Sequence, residues 1–96
     1  MITRLIGVRI KQLREERGEN QEIVANRIGK ARSYFGEVEI GHRNITVRNL
    51  LSITNGLGVT LEEFFDSELF DPIYKDRAGH SSTDYTVVRL QDDDAG

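Results

Sequence analysis

Apolar residues recur along the first two thirds of the chain at spacings of three and four, the pattern of helices that bury one face. Ile6, Ile10 and Leu13 form the first stripe, in a helix expected over about residues 3–17 and stopped by Gly18. Asn20 then offers its side-chain oxygen to the unpaired N–H groups of a second helix, which opens at Gln21 and carries Val24, Ala25 and Ile28 on one side. Gly29 ends that pattern, where left-handed backbone is cheapest. Phe35 and Val38 make the next apolar set, so Arg32, Ser33 and Glu37 fall on the outward face of a third helix, over about residues 32–40. Thr46 is the expected cap of a fourth helix over about residues 47–57, with Val47, Leu50, Leu51, Thr54 and Leu57 read as its inner face and Gly58 as its end. Thr60 and Glu63 have the spacing of a capping box ahead of a short fifth helix bearing Leu61, Phe64 and Phe65.

The second and third helices, joined by one glycine turn, read as a helix-turn-helix. Small Ala25 suits a close crossing, and the polar outer face of the third helix is free to meet a ligand. Gly36 interrupts that helix at a loss of about 1 kcal/mol relative to alanine. From Asp66 the character changes. The chain turns acidic, holds its single proline and reads as an extended arm. Residues 85–90, YTVVRL, alternate with β-propensity, and a lone strand there needs a partner for its backbone. The expected architecture is all-α: a compact five-helix domain over residues 1–66, then an acidic arm over residues 67–96 able to hold one β-strand.

Gln21, Ala25, Gly29, Phe35, Val38, Glu39 and Gly41, with Arg43, Asn44 and Thr46 in the following loop, stand at the spacing of Cro and the phage repressors. From about Ile6 to Phe65 the chain resembles that helix-turn-helix family, also called XRE-type and lambda-repressor-like. The loop is similar to that of restriction–modification regulators. The resemblance implies a homodimer that reads a pseudo-palindromic double-stranded DNA operator. It assigns base contacts to Arg32, Ser33 and Glu37, and contacts to the DNA backbone to Gln21, Lys30, Tyr34, Arg43 and Asn44. It further implies a structural ion pair between Arg14 and Glu39. The chemistry of the base readers is apt: arginine donates two hydrogen bonds to guanine, serine donates or accepts, and a carboxylate accepts from the cytosine amino group. Glu37 has a second role open to it, as the partner of a neighbouring arginine.

Composition sharpens this picture. The net charge is −3, but residues 1–60 hold ten Lys/Arg against six Asp/Glu, whereas residues 61–96 hold three against ten. A positive part suited to phosphate is thus followed by an acidic one. There is no cysteine, and the two histidines, His42 and His80, stand far apart, so no metal site and no cofactor are expected. No apolar run reaches membrane-spanning length, and a cytoplasmic location is expected. No phosphate-cradling glycine loop, cysteine nucleophile or convincing acid–base pair points to an enzyme. Five short helices also have little room for Leu61, Phe64, Phe65, Leu69 and Phe70, which are therefore expected at a dimer interface. The alternative is a protein-interaction module, such as an antitoxin, whose acidic arm binds a protein partner.

Overall fold

The computed structural model describes residues 2–74. Five helices follow the expected order: α1 (Ile2–Glu16), α2 (Gln21–Arg27), α3 (Arg32–Glu39), α4 (Val47–Leu57) and α5 (Leu61–Phe65). A 3-10 turn (Glu68–Phe70) and the short α6 (Asp71–Tyr74) come after them, and the described residues contain no strand. None of these helices is long and apolar enough to cross a membrane.

Local chemistry fixes most helix ends. The Asn20 side chain accepts from the Ile23 N–H at 2.9 Å, and Thr46 accepts from the Asn49 N–H at 3.1 Å. Thr60 and Glu63 complete both bonds of their capping box. α3 is the exception, because Ala31 precedes it and supplies no side-chain cap. That helix is held instead by what it buries: Phe35 and Val38 enter a common core with Ile6, Ile10 and Leu13 of α1 and Val24 and Ala25 of α2. Leu50, Ile53, Leu57, Phe64 and Phe70 complete this core.

α1 and α2 both pack against α3. The approach of α1 is close because Gly7 faces the last turn of α3. A Cβ there would lie 2.7 Å from the Glu39 carbonyl carbon and closer still to the carbonyl oxygens of Val38 and Glu39. Gly56 of α4 plays the same part against the Ile28 side chain. Neither requirement leaves a local trace in the sequence.

Three expectations need correction. Val47 and Leu51, read as inward, are 39% and 41% exposed, and Ile53 takes the inner place. Phe64 and Phe70, expected at a dimer interface, are wholly buried within one subunit. They can be, because residues 67–74 do not run out as an extended arm. The 3-10 turn packs on α1 and brings the Phe70 ring within 6.1 Å of Phe64 and 4.9 Å of Phe65, centroid to centroid. Arg9 of α1 secures the same corner, donating from Nε to the Phe64 carbonyl at 2.7 Å and from Nη2 to the Glu63 carbonyl at 2.9 Å. The folded body therefore extends past residue 66. The rest of the arm, with the expected strand at residues 85–90, lies outside the described residues.

Candidate nucleic-acid interface

α3 is presented from beneath by a buried polar cluster. Arg14 donates from Nε to Glu39 Oε2 at 2.6 Å and from Nη2 to Glu39 Oε1 at 3.1 Å, and its Nη1 reaches the Glu19 carbonyl at 2.8 Å. The implied pair thus forms as a two-pronged contact between α1 and the end of α3. The hydrogen bond to Glu39 raises Arg14 above the ordinary arginine value, against the opposing effect of burial. Gln21 joins the cluster by donating to Glu39 Oε1 at 2.9 Å. One of its two amide hydrogens is thereby engaged inside the fold, and the second has no acceptor among the described residues.

Above this base, Arg32 and Ser33 are exposed in the first turn of α3. Among the described residues Arg32 has no hydrogen-bond or ion-pair partner, so its guanidinium is free to fork onto a guanine edge. Gly36 continues the face with a bare backbone, and the nearest neighbour to a Cβ there would be Gln21 Oε1 at 3.4 Å. Glu37 is exposed as well, yet it has a partner. Arg43, in the loop after α3, approaches Glu37 Oε1 through Nη1 at 3.5 Å. In the chain without DNA, Glu37 thus has an arginine as its neighbour, one that comes from the loop.

Tyr34 forms the flank of the face. Its ring lies under the Arg43 guanidinium at 4.8 Å and near the Lys30 ammonium at 5.5 Å, both measured to the centroid. The Tyr34 hydroxyl is buried without a hydrogen-bond partner among the described residues. Asn44 and His42 are exposed in the same loop, and the His42 N–H is tied back to the Glu37 carbonyl at 2.9 Å. Of the residues expected to grip DNA, Lys30 and Arg43 are brought to Tyr34 on the flank of α3, Gln21 lies below it at Glu39, and Asn44 is exposed in the adjoining loop.

Charge is distributed less simply than the two halves of the sequence suggested. Residues 2–74 hold ten Lys/Arg against eleven Asp/Glu, so the folded body is close to neutral. Several cations are consumed internally. Arg17 donates to the Leu57 carbonyl at 3.2 Å and Arg27 to the Gly56 carbonyl at 2.8 Å, while both pair with Glu19. Lys30, Arg32, Arg43 and Arg48 remain exposed or half-exposed from the turn before α3 to the start of α4. The acids Glu62, Glu63, Asp66 and Glu68 sit on α5 and the segment after it, which pack on α4 and α1. One residue was overlooked. Ile40, 59% exposed, stands three positions after Glu37 and four after Gly36, beside an open groove that Arg4, Val8 and Lys11 also line. Its periodicity from Ser33 was the available signal.

Two helices set around a glycine turn, with an outward polar face and flanking cations, define a DNA-binding helix-turn-helix protein. The helix-turn-helix family model matches residues 10–64, and the chain belongs to this family, in its Cro/phage-repressor-like branch of transcription regulators. It is similar to the control protein C.MunI of Mycoplasma sp., 42% identical over 60 residues that make up 62% of this chain and 81% of that protein. Among solved structures it is similar to the restriction–modification controller C.AhdI from Aeromonas hydrophila, at 36% identity and a TM-score of 0.63, over 66% of this chain and 96% of that one. A second controller, C.Esp1396I, solved as a tetramer with its natural 35 base-pair operator, matches at 32% identity and a TM-score of 0.66, over 69% of this chain and 87% of its own.

Proposed function

We propose that the chain is a sequence-specific transcriptional regulator that acts as a homodimer in the cytoplasm on a pseudo-palindromic operator, with α3 in the major groove. The observation that carries this reading is the outer face of α3: Arg32, which has no partner among the described residues, next to Ser33, over a rigid buried support. Arg32 and Ser33 read base edges, while Gln21, Lys30, Tyr34, Arg43 and Asn44 hold phosphates on either side. The similarity to restriction–modification controllers, one of them solved on its operator, supports control of such a system.

Two recognition helices about 34 Å apart would meet successive major grooves, which requires a second copy. Leu61, Phe65 and Leu69 are partly buried against the core, and Leu51 is exposed on the neighbouring α4. These residues form the dimer contact in this reading, with Phe64 and Phe70 as the packed layer behind it. The test is binding to the duplex that the full chain enriches from a random-sequence pool, with a shuffled duplex as control. The preferred duplex should take up two chains and lose affinity as salt rises, and Arg32→Ala should weaken it about 5- to 150-fold, the equivalent of one bidentate base contact of about 1–3 kcal/mol. Equal affinity of the wild-type chain for both duplexes would overturn the reading.

A further inference from the structure

The loop after α3 is fastened to the face it is meant to serve. Arg43 reaches back across the end of the helix to Glu37, and its guanidinium lies over the Tyr34 ring. The backbone follows the same path, since Gly41 turns through φ +81° and the His42 N–H bonds the Glu37 carbonyl. Both partners of the ion pair remain about half exposed, at 47% for Arg43 and 52% for Glu37. A pair of that kind, at 3.5 Å, holds a preferred geometry and is easily exchanged for another.

DNA offers Arg43 such an exchange. A phosphate oxygen competes with the Glu37 carboxylate for the same guanidinium, and if Arg43 moves to phosphate, Glu37 is left as an unpaired anion facing a polyanion. That loss is repaired only where a base presents an amino group in the major groove, as cytosine and adenine do. Transfer of Arg43 to phosphate is therefore less favourable on DNA at large than on a site with such a base opposite Glu37.

Building on the operator-reading function above, we propose that Glu37 is a specificity-determining positioning residue that holds Arg43 over Tyr34 and releases it to phosphate only where a base amino group replaces Arg43 as its hydrogen-bond donor. Its effect is to weaken binding to the wrong DNA more than to strengthen binding to the right one.

Glu37→Gln is the informative variant, because it removes the charge and keeps an oxygen that accepts from a base amino group. Affinities of the full chain for its pool-enriched duplex and for the shuffled duplex are measured at several salt concentrations. Glu37→Gln should tighten the shuffled duplex about 1.4- to 5-fold, the range of an exposed ion pair, and change the enriched duplex less, so that discrimination falls. Arg43→Ala should then weaken shuffled-duplex binding more in the Glu37→Gln background than in the wild type, while melting temperatures stay level. Unchanged binding to the shuffled duplex together with weakened binding to the enriched one would make Glu37 a plain base reader and overturn the proposal. No change on either duplex would reduce Glu37 to a surface ion pair and overturn it equally. Arg32→Ala, run alongside, keeps the two readings apart, since its loss of discrimination upholds operator reading whatever Glu37 does.

Discussion

Two glycines in helix interiors make a matched test of how α3 is held. Exchange of either for alanine gains about 1 kcal/mol of helix propensity, so their difference isolates what each new methyl group meets. At Gly36 it meets the flexible Gln21 side chain at 3.4 Å, an ordinary contact, and Gly36→Ala should stabilise the domain by about 1 kcal/mol. At Gly7 it meets backbone, 2.7 Å from the Glu39 carbonyl carbon, where real Cβ contacts essentially never fall below 3.0 Å. The end of α3 would have to retreat by a sizeable fraction of an ångström, taking the 2.6 Å Arg14–Glu39 contact with it. Overpacking of this kind costs about 1–3 kcal/mol, and immovable backbone places Gly7→Ala at the upper end, near 3. Less the propensity gain, a net loss of about 2 kcal/mol remains. Urea unfolding followed by circular dichroism, at one protein concentration, should show the two midpoints moving in opposite directions with the slope unchanged. In a thermal melt, Gly7→Ala should lower Tm by roughly 8–16 °C. If Gly7→Ala matches the wild type or rises with Gly36→Ala, the close approach of α1 to α3 is refuted.

The Arg14–Glu39 pair supplies a second prediction: each single alanine strands a buried charge and should cost about 3–5 kcal/mol in urea unfolding, whereas the double variant should lose clearly less than the two together. Simple additivity would show that the two side chains are not coupled. Glu19 supplies a third. Its hydrogen bonds to Arg27 and then Arg17 hold its carboxyl at about 2, below the ordinary 4.5, so its contribution is complete above pH 4.5 and is lost as the pH falls toward 2. Glu19→Gln should therefore be less stable than the wild type at neutral pH and approach it in acid, and a stability difference that stays constant across this range would contradict the assignment.

Helix ends were legible wherever one residue chooses the backbone or satisfies it. Asn20, Thr46 and the Thr60–Glu63 box bond groups within three residues of themselves, and glycines 18, 29, 41 and 58 all adopt positive φ, so local chemistry sufficed. The outward face of α3 was legible for a similar reason, because Phe35 and Val38 fix which side is inward. Contacts between distant segments were not. Gly7 matters only through Glu39 and Gly56 only through Ile28, and no periodicity encodes such pairings. On α4, apolar residues outnumber the places the core has for them, so periodicity alone does not separate the exposed Val47 and Leu51 from the buried Ile53. Phe70 is hidden for a related reason, since a composition that turns acidic after Asp66 conceals a ring that returns to the core. At the interface, residue types pointed to the right neighbourhood, but the choice of Arg43 as the partner of Glu37 depends on the path of a loop.

The support beneath α3 has a consequence for how such a protein changes over generations. Phe35, Val38 and Glu39 face inward and carry the anchoring of the helix, whereas Arg32, Ser33, Glu37 and Ile40 are exposed and contribute little to it. Variation at these four outer positions is therefore nearly free of folding consequences, and a lineage can drift from one DNA sequence to another without passing through unstable intermediates. The same separation suits deliberate redesign: the outer residues can be replaced as a set while the inner three and Arg14 are left alone, and success or failure then reports on recognition and not on whether the domain folds.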